Sequence, residues 1–309
     1  MKKILITGGA GNVGASLAIR LSEDSSNVVY VVDNLVTGNI NNLSSAIGKI
    51  NFIKCDVNNL DEIAKVFLNN TFDFVFHYAA LVGVKRTVEN PLKVFNDIEG
   101  LKNILLLSKL NGVKKIFYSS SSEVYGEPFE IPQNEESTPL NSRLPYAIVK
   151  NLGESMIKSY QKEYGLNYTI FRFFNTYGPM QSIDFVIKKF ILQSIKGDEI
   201  TIYGTGSQTR TFCYIDDNIN FTKLVLEKNV FNNDIINVGN NIEISMLRLA
   251  EIVKNITKSK SKIVHLPALK EGDMTRRCPD NRKMMSFYEK NLIPIEDGIE
   301  RIYNRIINE

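Results

Sequence analysis

A short apolar strand, Ile4-Leu-Ile-Thr7, runs straight into Gly8-Gly-Ala-Gly-Asn-Val-Gly14, and Val13, Leu17 and Leu21 then recur at four-residue spacing. No other feature constrains the chain as much. Glycines at 8, 11 and 14 make a turn free of side chains between a strand and a helix. Through such a turn a pyrophosphate reaches backbone N–H groups at the helix N-terminus. A second strand, Val28-Val-Tyr-Val-Val-Asp33, ends in an acid at about the separation from Gly14 expected of a residue that hydrogen-bonds an adenosine ribose. An acid there repels a 2′-phosphate, and no Lys or Arg stands between Arg20 and Lys49 to receive one. NAD is favoured over NADP.

The alternation continues. Apolar runs predict strands at 50–56, 72–80, 115–120 and 167–172, with helices at 60–68, 94–110 and 145–164, the last stopped by Gly165. Strands alternating with helices indicate a doubly wound parallel α/β sheet, the Rossmann arrangement. Ligands in such sheets lie at the carboxyl ends of strands. Gly8, Asp33, Asp56, Ala79, Ser121 and Asn175 all fall at or just after those ends. Beyond Asn175 the pattern loosens. The reading is a dinucleotide-binding domain over 1–175, with a returning strand near 235–240, and a smaller C-terminal lobe over 176–309.

Chemistry concentrates between Ser119 and Lys150. Tyr146 and Lys150 stand four residues apart at the start of a predicted helix, on one face and one turn from each other. A phenol ordinarily ionises near pH ~10, and a neighbouring ammonium favours the phenolate. Tyr146 can then take a proton from an alcohol whose oxygen Ser121 holds. An alcohol that loses a proton to a base must also lose a hydride, and the glycine turn provides for an acceptor.

Composition narrows the partners. The 43% hydrophobic and 23% charged fractions are ordinary for a soluble globular chain, and the net charge of +3 forms no basic block. Nucleic acid is not implied. No apolar run approaches the ~20 residues that span a bilayer. Cys55, Cys213 and Cys278 form no C-x-x-C and leave an odd count, so a reducing cytoplasm is expected. His77 and His265 are too few and too isolated for a zinc site.

In order, Thr7 to Gly11, Asp33-Asn34, Asp56-Val57, Ala79-Ala80, Ser119 to Gly126, Tyr146 to Lys150, Arg172 to Asn175, Tyr177 to Pro179, and Arg210 resemble the extended short-chain dehydrogenase/reductase superfamily, specifically its NAD-dependent nucleotide-sugar epimerase/dehydratase branch. The resemblance covers essentially the whole chain. It implies oxidation at C4 of a nucleotide-diphosphate sugar to a 4-keto sugar, in carbohydrate (surface glycan) biosynthesis. It implies Tyr146 as base, Lys150 on the nicotinamide ribose, and Ser121 on the C4 oxygen. It also implies that Gly8, Gly11, Asn12, Val13, Gly14, Asp33, Asn34, Asp56, Val57, Ala79 and Ala80 line the NAD site. Asn175 and Arg210 match positions on the nucleotide diphosphate.

Glu123, two residues after Ser121, follows the pattern of 4,6-dehydratases and UDP-glucuronate decarboxylases, and Arg277 matches a decarboxylase arginine. A carboxylate near C5 could remove the proton that a C4 ketone makes acidic. Asn12 departs from the branch, which usually has an aromatic there. The net reaction stays open among decarboxylase, dehydratase, 4-epimerase and C4 dehydrogenase, with a non-catalytic NAD-binding sensor as the alternative of another class. Relatives pair the helices corresponding to 94–110 and 146–164 into a four-helix interface. A homodimer is therefore expected, with Leu105, Leu106, Met156 and Ile157 among its apolar residues.

Overall fold

The computed structural model describes residues 1–268 and 275–308. The expected alternation becomes β1 (Lys2–Thr7), α1 (Asn12–Ser22), β2 (Asn27–Asp33), β3 (Ile50–Lys54), α2 (Leu60–Asn69) and β4 (Phe74–His77). Short helices α3 (Val84–Glu89) and α4 (Pro91–Val94) precede α5 (Asp97–Leu110), β5 (Lys115–Ser121), α6 (Pro145–Tyr164) and β6 (Asn167–Phe173). The helix expected over 94–110 is thus broken, its main body starting at Asp97. Then follow β7 (Thr176–Tyr177), α7 (Val186–Lys196), β8 (Ile200–Tyr203), β9 (Thr209–Thr211), β10 (Cys213–Tyr214), α8 (Ile215–Lys228) and β11 (Asp234–Val238). Last come β12 (Glu243–Ser245), α9 (Met246–Ile256), β13 (Ile263–Leu266), α10 (Arg282–Met285) and α11 (Ile295–Asn308).

A seven-stranded sheet has the order β3-β2-β1-β4-β5-β6-β11. Every pairing from β3 to β6 is parallel. This is the Rossmann order, and it reverses between β1 and β4, where a crevice opens at the carboxyl ends. The inner strands are buried nearly throughout: Ile4, Leu5, Ile6, Val31, Val75, Phe76, Ile116 and Phe117 are fully enclosed, whereas the edge strand β3 is partly exposed. Both faces carry packing, which is why these strands read as continuous apolar runs rather than alternating ones. Phe117 stacks on Phe76 at 4.3 Å between centroids and on Phe171 at 6.1 Å.

The chain divides into two compact units. The first comprises residues 1–124, 142–173 and 219–236, and the second 125–141, 174–218 and 237–309. Two segments therefore cross the boundary read at residue 175. Residues 219–236 join the first unit because Lys115 Nζ donates to Val230 O at 2.9 Å and Asn232 Oδ1 at 2.7 Å, and Thr169 Oγ1 donates to Phe231 O at 2.8 Å. Residues 125–141 join the second, where Gln133 N–H donates to Cys278 O at 2.8 Å and Tyr125 O–H donates to Asn237 Oδ1 at 2.7 Å. Within that second unit β9 pairs antiparallel with β12, and β8 pairs parallel with β13.

Burial corrects the residues expected at a subunit interface. Leu105 and Ile157 are enclosed in the first unit's own core and Met156 packs against that core. Leu106 is exposed, as are Leu110 on α5 and Ile148 and Leu152 on α6. Among the described residues no helix is long and apolar enough to cross a membrane.

Candidate active site

The glycine turn is tight for reasons that can be measured. Gly8 has φ +64°, and a Cβ there would fall 2.6 Å from the Ala79 backbone. At Gly14 it would fall 2.4 Å from the Gly8 carbonyl oxygen. The turn thus lies directly on the end of β4, and α1 starts directly on the turn. The N-cap of α1 is Gly11, with no side chain capping the helix and no acid in the first turn. No acid of the helix's own first turn therefore offsets the N–H groups and the dipole at its start. Asn12 Oδ1 is buried there and accepts no hydrogen bond.

Asp33 closes the other side. Its Oδ2 accepts the Ala10 N–H at 2.9 Å and its Oδ1 accepts the Leu35 N–H at 2.8 Å, which fixes the carboxylate and leaves each oxygen with a further lone pair. A Cβ on Gly38 would lie 2.7 and 2.8 Å from those two oxygens. The backbone at Gly38 thus packs directly against the Asp33 carboxylate, where no side chain would fit. Asn34 Nδ2 donates to Asp56 Oδ2 at 3.2 Å, and Asn103 Nδ2 donates to Val57 O at 2.9 Å, so the end of β3 is braced beside Asp33. Ala79 donates its N–H to Thr7 Oγ1 at 3.2 Å, Ala80 following it along the rim. The residues present fit a dinucleotide: a bare helix start for the pyrophosphate, a held acid for the ribose, and glycines where a Cβ would intrude.

The side chains that the sequence singles out for chemistry sit on and just after β5 and on α6, within the first unit. Leu144, in an extended conformation, caps α6; Pro145 takes its first position and Gly165, at φ +71°, ends it. Tyr146 is half-buried and Lys150 is 3% exposed. Lys150 Nζ donates to Ser119 O at 2.6 Å and lies 5.8 Å from the centroid of the Tyr146 ring. Burial pushes the Lys150 ammonium down to about 8, opposed by the carboxylates of Asp97 and Glu154. Burial in turn raises Asp97, whose Oδ2 accepts the Leu81 N–H at 2.8 Å. Past the end of β5 the chain makes one 3₁₀ turn, and Glu123 N–H donates to Ser121 Oγ at 3.2 Å. Ser121, Glu123, Tyr146 and Lys150 are therefore brought to one end of β5 and α6. His77 is not part of this group. Burial and then Lys150 depress it to about 3, so it is neutral, and its Nδ1 bonds Thr7 Oγ1 at 2.9 Å.

Asn175, Arg210 and Arg277 belong to the second unit. Asn175 has φ +35° and donates through Nδ2 to Thr211 O at 2.9 Å. Arg210 stands on β9 opposite Ile244 of β12. Of the adjacent Arg276 and Arg277, Arg276 is taken by Glu243, at 3.0 Å from Nε to Oε1, and Arg277 is buried. The sequence reading missed two charged groups around Lys150, Asp97 and Glu154. Glu154 had a signal: it lies four residues after Lys150 and eight after Tyr146, on the same helical face.

Sheet order, the glycine turn and the held acid at the end of β2 together mark a dinucleotide-binding α/β protein of the Rossmann type. More particularly, the chain belongs to the NAD dependent epimerase/dehydratase family, whose model matches residues 4–239. It is 38% identical to a UDP-N-acetyl-alpha-D-glucosaminuronate decarboxylase of Bacillus cytotoxicus, over 92% of this chain and 90% of that one. It is 35% identical to UDP-glucuronic acid decarboxylase 1 of Danio rerio, over 97% of this chain and 71% of that one. Its fold superposes on the UDP-glucose 4-epimerase of Thermotoga maritima, solved with UDP-glucose, with a TM-score of 0.93 and 29% identity, covering 99% of this chain and all of the other.

Proposed function

We propose that this enzyme oxidises C4 of a UDP-hexuronate and releases the C6 carboxylate as carbon dioxide. The observation that carries the first step is the seating of Lys150 on the Ser119 carbonyl, one helical turn from Tyr146, at the end of the strand that presents Ser121. NAD, held by the turn at Gly8, Gly11, Asn12, Val13 and Gly14 and by Asp33, Asn34, Asp56, Val57, Ala79 and Ala80, supplies a hydride acceptor at C4 and later the donor that restores the alcohol.

Tyr146 takes the C4 hydroxyl proton and returns it at the end. Lys150 keeps a positive charge beside Tyr146 and orients the nicotinamide ribose. Ser121 donates to the C4 oxygen. With a ketone at C4, the C5–C6 bond of a hexuronate is β to the carbonyl. It breaks with its electron pair moving toward the C4 oxygen, carbon dioxide leaves, and Glu123 passes to C5 a proton that it takes from solvent, the one proton the net reaction consumes. By the family resemblance, Asn175 and Arg210 match positions on the nucleotide diphosphate, for which a planar guanidinium is suited, and Arg277 matches a decarboxylase arginine. Support for decarboxylation comes from Glu123 on the turn beside Ser121, from the match of Arg277 to a decarboxylase arginine, and from the decarboxylases among the relatives.

Incubation with UDP-glucuronate, UDP-glucose and UDP-N-acetylglucosamine, followed by mass analysis of products, tests the reading. Loss of carbon dioxide from UDP-glucuronate is expected. Loss of water, loss of two hydrogens, or an isomer of unchanged mass would replace it with a dehydratase, a dehydrogenase or an epimerase. An NAD-loaded protein inert to all three would be a sensor.

A homodimer completes the proposal. Leu106 and Leu110 on α5, and Ile148 and Leu152 on α6, form two exposed i, i+4 apolar pairs on helices that pack on each other. A second copy of the same helices is their partner. Sedimentation at micromolar concentration should give twice the chain mass, and Leu110→Glu with Leu152→Glu should halve it. A wild-type monomer would refute the interface.

A further inference from the structure

Behind Lys150 the first unit buries a second charged cluster that the reaction above does not use. Glu154 is 1% exposed and Arg172 is 2% exposed. Arg172 Nε donates to Glu154 Oε1 at 2.9 Å and its NH2 donates to Oε2 at 2.7 Å, a bidentate pair. Ser120, itself buried, donates its hydroxyl to Glu154 Oε1 at 2.5 Å. One carboxylate therefore ties α6 to β5 through Ser120 and to β6 through Arg172.

Stability alone is a poor reason for this arrangement. Desolvating two charges offsets most of their attraction, and apolar side chains of similar volume usually do as well. What the cluster adds is direction. Its partners are the strand residue next to Ser119, which receives Lys150, and the helix residue one turn beyond Lys150. The same face carries a third close contact. A Cβ at Gly153 would lie 2.3 Å from Tyr118 Oη, so α6 can approach β5 this closely only with glycine there. Lys150 to Ser119, Gly153 to Tyr118, and Glu154 to Ser120 are three successive rungs between one helix and one strand.

We propose that Ser120, Glu154 and Arg172 form a positioning cluster that seats α6 on β5 at the register Tyr146 and Lys150 require. The proposal rests on Tyr146 and Lys150 acting as described under the proposed function. The groups facing Lys150 are Asp97 from α5, Glu154 from its own helix, Tyr118 from β5, Tyr146 from the preceding turn, and neutral His77 from β4. Arg172 faces Glu154 from β6. Asp97 and Glu154 both favour the charged lysine. Removing Glu154 therefore lowers the pH at which Lys150 loses its proton.

Two variants test this. Ser120→Ala keeps the ion pair and cuts only its link to β5, so its folding is not at issue. Glu154→Leu with Arg172→Met replaces the pair by apolar volume and leaves no lone buried charge. Melting temperature and NAD affinity are measured in both. With UDP-glucuronate, kcat should fall roughly 10- to 100-fold, the range expected of a slightly misplaced catalytic group, while KM and NAD affinity hold. In the double variant the alkaline limb of kcat should also move to lower pH. The Lys150 ammonium is titrated without substrate, by NMR of the lysine side chains in each protein against the same protein carrying Lys150→Met. Its midpoint should fall in the double variant. Wild-type kcat in Ser120→Ala, or an unmoved Lys150 titration in the double variant, overturns the proposal. Failure of the wild type to turn over UDP-glucuronate would count against the proposed reaction instead, and the Lys150 titration would still decide the role of the cluster.

Discussion

Tyr146→Phe should lower turnover of UDP-glucuronate by ~100- to 10,000-fold, the usual contribution of a general base, with NAD and substrate binding nearly unchanged. Phe keeps the ring that packs at the start of α6 and removes only the oxygen that takes the proton. Hydride loss from C4 without proton loss from its oxygen would leave an oxocarbenium-like cation, so the first step itself should stall. Stopped-flow absorbance should then show no early formation of reduced cofactor. The pH dependence of the wild type follows from Lys150. Burial holds its ammonium near 8, so its charge is present below that pH and is lost as pH rises through it. Turnover should accordingly decline on the alkaline side of about 8. A Tyr146→Phe protein within tenfold of wild-type turnover would remove Tyr146 from the chemistry.

Glu123→Gln should separate oxidation from what comes after it. The amide keeps the size and the backbone N–H bond to Ser121 Oγ, so the 3₁₀ turn stays in place. Proton delivery to C5 fails, while Tyr146, Lys150 and Ser121 remain. Mixing with UDP-glucuronate should therefore build enzyme-bound reduced cofactor toward one equivalent, visible by its absorbance, with release of finished product slowed by ~100-fold or more. A purely structural Glu123 gives another pattern: a lower melting temperature, weaker substrate binding and no accumulation. Wild-type turnover in Glu123→Gln would withdraw the main support for decarboxylation and leave a 4-epimerase or C4 dehydrogenase.

Much of the site was legible because it follows chain periodicity. Gly8, Asp33 and Ser121 stand where apolar runs end, and such ends converge in a parallel sheet. Tyr146 and Lys150 declare a shared face by their spacing alone. Glu154 did not stand out, because an acid in mid-helix is ordinarily a solvated one. Nothing local says that Arg172, on a strand that follows the helix, will come to meet it. Asp97 was hidden similarly in the first turn of α5, where acids are common at helix starts.

The interface residues slipped for a different reason. Ile104, Leu105, Leu106 and Leu107 form an unbroken apolar run, which carries no phase, so the sequence could not say which side faced the core. Leu105 proved to be inside and Leu106 outside. The segment 125–141 has no period at all, and its bonds to Asn237, Cys278 and Asp280 tie it to the second unit.

The interleaving of the two units carries a consequence for how the molecule is made. The ammonium of Lys115 finds its acceptors on Val230 and Asn232, more than a hundred positions later in the chain. On a ribosome, β1 to β6 emerge long before the segment that completes their unit. Until then Lys115 has no buried partners and the outer edge of β6 is unpaired. The first unit cannot reach its final form as a nascent N-terminal half, and a fragment ending at residue 173 would expose a sheet edge that invites association with other chains. Synthesis through residue 236 thus precedes completion of the cofactor-binding unit, which ties its maturation to chain made long after β6.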